Sequence, residues 1–141
     1  VNKPFTQSIW KRKMSVSIQI EPKTELAICT CSGILTVDDA INGAKSLWKT
    51  PGWLGKASVW NFLEARFDMS SPEVEQIARF ILHHQPAEAP LKMAFVAQSD
   101  LEYGLSRMFE VYRQEHQTKF RVFRDLEEAL NWARIFEPDN V

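Results

Sequence analysis

Apolar residues return along this chain at two periods, two and about 3.6, and the switching between them predicts the order of its elements. Ser15 to Ile20 puts Val16, Ile18 and Ile20 on one face, as a strand does. The turn Glu21-Pro22-Lys23-Thr24 then leads into Leu26 to Ser32, completing a hairpin that Gly33 ends. Thr36 is placed to cap a helix in which Ala40, Ile41, Ala44, Leu47 and Trp48 keep helical spacing until Thr50-Pro51-Gly52 breaks it. Ala57 to Ala65 is apolar on both faces apart from Asn61. That is the pattern of an interior parallel strand with helices on both sides, and it requires the buried Asn61 amide to be hydrogen-bonded. Ser71 and Pro72 open the next helix, with proline at its first position and Val74, Ile77, Ala78, Ile81 and Leu82 as its buried stripe.

The stretch Leu91 to Glu110 anchors the pattern as a strand, a turn and a helix. Lys92 to Ala97 is too short and too apolar for a surface helix, while Leu101, Leu105, Met108, Phe109 and Tyr112 form one helical stripe. Ser99 followed by Glu102 has the spacing of a capping box, which starts the helix at Asp100. Phe120 to Phe123 is the last strand, and Asp125 with Glu128 repeats the box before Ala129, Leu130, Ala133 and Phe136. The order ββαβαβαβα is that of an α/β protein with a mostly parallel five-stranded sheet flanked by helices. We expect one domain over residues 14–137, an amino-terminal arm over 1–13 and a tail over 138–141. Phe5, Ile9 and Trp10 make the arm apolar enough to dock on the domain or on a second copy in a homodimer.

Composition narrows the function classes. The 141 residues are 45% hydrophobic and 11% aromatic, enough for one core without staples. Seventeen basic residues against eighteen acidic ones leave a formal charge of −1, and the one tight basic cluster is Lys11, Arg12 and Lys13. Nucleic acid, which needs a clustered positive surface, is not the expected partner. No apolar run is long enough to span a bilayer, and the chain reads as cytoplasmic. Cys29 and Cys31 sit two apart in a strand, which puts their β-carbons roughly 6.6 Å apart against the ~3.8 Å of a disulfide. They read as reduced core residues, without the further ligands a metal site needs. His83, His84 and His116 fall at helix ends, where a cation complements the dipole.

Three segments, VWNFLEARFDMSSPEVEQIARF, MAFVAQSDLEYGLSRMFE and RVFRDLEEALNWA, together resemble the SpoIIAA-like family of STAS domains, in its stand-alone bacterial branch. The resemblance runs from about Met14 to Phe136, and its fold is shared with CRAL-TRIO lipid-transfer domains. Sporulation-type members carry a phosphorylated serine in an Asp-Ser-Ser/Ala-Gly signature after the third strand. The matching place here is Asp68-Met69-Ser70-Ser71-Pro72, where Met69 separates the aspartate from the serines and Pro72 replaces the glycine. Ser70 and Ser71 are therefore candidate phosphoacceptors as well as candidate helix caps.

The carboxyl edge of the sheet is where ligands of doubly wound proteins gather, and several helix amino termini there would favour an anion. That edge holds the candidate binding residues Arg66, Asp68, Ser70, Ser71, Ser99, Asp100, Tyr103 and Arg107, with Arg124 as a further guanidinium. Each has a plainer role as a cap or a solvated charge. Gly104, inside the anchoring helix, suggests close packing on the sheet. No catalytic, cofactor or metal motif occurs. The expected function is a non-enzymatic STAS-type regulatory or binding module that docks a protein partner near the turn from the third strand to the second helix. The alternative is a carrier or sensor of a small apolar or amphipathic ligand, suggested by Trp48, Trp53, Trp60, Met69, Tyr103 and Met108. A hydrolase or transferase comes third, resting on the anion-favouring edge alone.

Overall fold

Nine segments alternate as that pattern requires in the computed structural model, which describes residues 13–53, 57–86, 92–113 and 118–135. They are β1 (Ser15–Ile20), β2 (Ala27–Leu35), α1 (Val37–Trp48), β3 (Ala57–Phe67), α2 (Ser71–His84), β4 (Lys92–Val96), α3 (Asp100–Tyr112), β5 (Lys119–Phe123) and α4 (Leu126–Arg134). Phe5, Ile9, Trp10, His116 and Phe136 lie outside the described residues.

The strands lie in the order β1-β2-β3-β4-β5, antiparallel between the first two and parallel thereafter. Every parallel crossover therefore steps in the same direction, and crossovers of one hand that step one way put their helices on one face. Residues of α1, α2 and α3 share one core with Cys29, Cys31, Trp60 and Phe62, and we call this the front face. Among the described elements only α4 packs on the back, where Ala129, Leu130 and Ala133 meet Val59, Ala94 and Val96. The strand order never reverses, so the crevice that a doubly wound sheet opens at its reversal point has no counterpart here.

Two strands differ from the sequence pattern for identifiable reasons. Strand β2 does not end at Gly33; the glycine takes a positive φ of 90° and stays paired with Ala65, so the strand continues to Leu35. Strand β3 carries a bulge opposite Thr30 to Ser32. Asn61, half-buried, accepts the Leu63 N–H through its side-chain oxygen at 3.0 Å, which satisfies a donor at the bulge. Beyond the bulge Leu63, Glu64 and Arg66 are exposed, so the two-sided burial predicted for this strand holds only for its first half.

The hairpin is tied to the back helix by Arg134, which donates to both oxygens of Glu21 at 2.6 and 3.2 Å. The Glu21 carboxyl is consequently held below its ordinary pKa, chiefly by that hydrogen bond. Lys92 closes α4 by donating to the Trp132 and Ile135 carbonyls at 2.8 and 2.6 Å. His83 and His84 place Nδ1 2.8 and 2.9 Å from the carbonyls of Arg79 and Phe80, the helix-end role their positions predict. Cys29 and Cys31 are free thiols buried side by side on the front face, and burial pushes both pKa values up, that of Cys31 to about 12.

Candidate functional site

Parallel strands bring the ends of β2, β3, β4 and β5 to one edge, and every candidate binding residue except Arg107 sits there, Arg66 at the end of β3 and the others in the turns or helix starts. Arg107 lies two turns into α3. Backbone and side chains stitch this edge together. The Asp68 N–H donates to the Leu35 carbonyl at 2.8 Å, and the Ala97 N–H to the Phe123 carbonyl at 3.0 Å. Thr36 caps α1 in a full capping box with Asp39.

Ser70, not Ser71, caps α2; it completes a capping box with Glu73 and places Ser71 and Pro72 inside the first turn. The proline thus sits one position later than its sequence pattern predicts. The Ser70 hydroxyl is engaged with Glu73, whereas the Ser71 hydroxyl is exposed and touches only the Met108 sulfur, at 3.6 Å, among the described residues. Asp68 and Arg66 are exposed beside them.

On α3 the predicted stripe holds at its centre, where Leu105 and Phe109 are buried and Met108 packs against the front core, and fails at its ends. Leu101 and Tyr112 are 59% and 39% exposed, and Glu102 and Ser106 complete the buried face. Glu102 is 2% exposed. Ser99 accepts the Glu102 N–H as expected of a cap, but the carboxylate does not reach back to the Ser99 N–H. It accepts the Ser99 hydroxyl and, at 2.9 Å, the N–H of Phe67, and so joins the end of β3 to the start of α3. Asp125 likewise caps α4 without the reciprocal bond from Glu128.

The cations of the edge have partners within the chain. Arg124 donates to the Gln98 carbonyl at 2.6 Å and to Asp100 at 3.2 Å, and lies 4.1 Å over the Tyr103 ring. Arg107 pairs with Glu110 at 2.8 Å, and the Tyr103 hydroxyl beside it, with Glu110, raises its pKa further. Gly104 faces open space: a β-carbon there would meet nothing within 4 Å, so close packing on the sheet is not its reason.

Behind this edge, between the sheet and α1 to α3, lies a cavity of about 70 Å³. That exceeds several times over the ~10–15 Å³ a single water needs. Its wall includes Trp48, Trp53, Trp60, Met69, Phe95 and Leu105, and among the described residues it carries no charged side chain. The Trp60 indole nitrogen and the Ser106 hydroxyl belong to lining residues but are themselves shut away without a partner, so the wall presents mostly carbon. Tyr103 and Met108, grouped with these residues from sequence, are not in the wall. Ser106 carries no sequence signal; only its burial at 1% exposure singles it out. Among the described residues no cluster of histidine, cysteine and acidic side chains could hold a metal, and no helix is long and apolar enough to cross a membrane.

An ordered sheet with one antiparallel edge strand, three helices in front and one behind is the SpoIIAA-like fold, and the chain has it. Among solved structures it is similar to an uncharacterised protein of the DUF3478 family with a SpoIIAA-like fold from Shewanella loihica, at 17% identity and a TM-score of 0.56, over 85% of this chain and 93% of that one. It is also similar to an anti-sigma factor antagonist from Mycobacterium paratuberculosis, at 13% identity and a TM-score of 0.56, over 87% and 96% of the two chains. No protein-family model and no curated protein sequence matches it.

Proposed function

We propose that the protein is a non-enzymatic, cytoplasmic regulatory module of the STAS type that docks a protein partner on the turn from β3 to α2. The observation that carries this reading is the combination of exposure and rigidity at Asp68, Ser70 and Ser71. Their side chains face solvent, while the backbone beneath is held by Leu35 on one side, Glu102 on another and the Ser70–Glu73 box. A surface fixed before binding loses little conformational freedom on binding. Ser99, Asp100, Tyr103, Arg66 and Arg107 extend the surface along the same edge and onto α3. The likeness to an anti-sigma factor antagonist supports the reading.

Of the two serines, Ser71 is the better phosphoacceptor, because the Ser70 hydroxyl is engaged in its cap. A phosphate there would put about −1.5 to −2 charge at the start of α2. The test compares proteins co-purified on wild type, Ser71→Asp and the pair Asp68→Arg with Ser71→Arg, with thermal melts beside each. Loss of a specific partner without loss of stability supports docking at the turn; identical partners on all three overturn it.

A second reading, a carrier or sensor of a small apolar or amphipathic ligand, is favoured by the cavity, whose described lining is uncharged. Native mass spectrometry of gently purified protein tests it. A retained small molecule supports the reading, and the bare chain mass, together with no thermal shift on adding 1-octanol, overturns it.

A further inference from the structure

We propose that the cavity is an effector site for the docking turn: a small neutral apolar molecule held there drives the Met69 side chain outward, between Asp68 and Ser70, and weakens partner docking. The effector role rests on the docking reading above. Burial alternates at the end of β3 and through the turn, with Arg66, Asp68 and Ser70 exposed and Phe67 and Met69 half-buried. Phe67 and Met69 both belong to the cavity wall. One short run of chain therefore turns one face to the cavity and the other to the docking surface.

The size of the cavity makes the two faces interdependent. Its 70 Å³ is about half of the ~150 Å³ that accommodates a benzene, so a ligand of that size or larger enters by displacing part of the wall. Closely packed aromatic and branched side chains resist displacement, whereas methionine, unbranched and with three rotatable bonds, yields. The described wall holds Met14, Met69 and Met93. Met93 is 6% exposed and enclosed in the front core, while Met14 and Met69 are half-buried. Met14 lies against Gly43 of α1; Met69 belongs to the turn itself. The backbone on either side of Met69 is held, by the Phe67 N–H on Glu102 at 2.9 Å, the Asp68 N–H on the Leu35 carbonyl at 2.8 Å and the Ser70–Glu73 capping box. The side chain then takes up the ligand's volume, and the change falls in the middle of the polar docking face. A charged or strongly hydrogen-bonding group would lose its water without replacement here, because the described wall is uncharged and Trp60 Nε1 and Ser106 Oγ are shut away. That defines the ligand as neutral and mostly carbon. Ligand and partner oppose one another, each weakening the other by the same factor.

The experiment titrates 1-octanol into the isotope-labelled full chain and follows it by NMR. The Trp60 indole N–H reports on the cavity, the Met69 methyl and the amides of Asp68, Met69 and Ser70 report on the turn, and the Trp132 indole in the back-face core is the control. Cavity and turn signals are expected to shift along one saturation curve while Trp132 stays still. In Met69→Ala the Trp60 shift should persist and the turn amides should move less than half as far. Octanol at saturation should also lower, by about fivefold or more, the recovery on wild type of a partner that the Asp68→Arg, Ser71→Arg pair fails to retain, and should spare it on Met69→Ala. A Trp60 shift without the turn, equal turn shifts in Met69→Ala, or unchanged partner recovery overturns the effector role and leaves the cavity reading standing. A Trp60 signal that never moves overturns the cavity reading and the proposal with it. Turn shifts in a protein whose partners ignore the Asp68→Arg, Ser71→Arg pair overturn the docking reading, and the effector role falls with it.

Discussion

Replacing Glu102 with alanine removes a side chain that joins β3 to α3 at the carboxyl edge. Its carboxylate, 2% exposed, accepts the Phe67 N–H at 2.9 Å and the Ser99 hydroxyl. A hydrogen bond to a charged acceptor contributes about 1.5–3 kcal/mol, and a buried donor left without an acceptor costs about 1–3 kcal/mol. The removed carboxylate no longer has to be desolvated, which offsets part of this loss. We expect Glu102→Ala to destabilise by about 2–3 kcal/mol. At roughly 3–4 °C per kcal/mol for a chain of this size, that is a drop in Tm of about 6–12 °C. Glu102→Gln keeps an oxygen for Phe67 and should lose about 1 kcal/mol, the difference between a charged and a neutral acceptor. Ser99→Ala should lose about 1 kcal/mol as a cap, and the double variant should fall short of the sum, because the two side chains share a bond. Urea denaturation followed by tryptophan fluorescence measures all four. A Glu102→Ala protein within 0.5 kcal/mol of wild type would refute the role assigned to this carboxylate, and equal losses for Ala and Gln would show that charge, not the acceptor, is what matters.

Gly104→Ala should stabilise the protein by about 0.5–1 kcal/mol, since the site is helical and a β-carbon meets nothing within 4 Å; a lower Tm contradicts this. Ser70→Ala should cost about 1 kcal/mol, whereas Ser71→Ala stays within about 0.5 kcal/mol; equal losses would place the cap elsewhere. The depressed Glu21 carboxyl gives a stability contribution that is present above its unfolded value near 4.5 and fades as pH falls through the lower folded value. Because Arg134 and Glu21 are partly exposed, the contribution is at most about 1 kcal/mol. Stability measured from pH 6 down to pH 3 should therefore fall less for Glu21→Gln than for wild type, and parallel curves would show that the pair contributes nothing.

Local rules were enough for much of this molecule. Alternation over Ser15–Ile20 and helical spacing after Thr36, Ser70 and Ser99 follow from backbone periodicity and from capping chemistry within three residues, so they are legible in the chain itself. The order ββαβαβαβα and the parallel sheet follow from those elements by the handedness of crossovers. The candidate edge was legible for the same reason, since parallel strands carry their ends to one side.

What only the tertiary structure decided were choices between partners distant in sequence. The Glu102 carboxylate had two acceptable uses, a reciprocal cap or a bond across to Phe67, thirty-five residues away, and the second wins because the end of β3 has a donor to satisfy. The same contact adds Glu102 to a buried face of α3 that hydrophobic spacing reads only through Leu105, Met108 and Phe109, and Leu101 is left in water. Arg124 is likewise a free cation in the sequence and a clamp on Gln98, Asp100 and Tyr103 in the fold. The strand order decided that three helices share one face, and with it where the cavity forms, because a helix pattern fixes which side chains are buried but not which face of the sheet receives them.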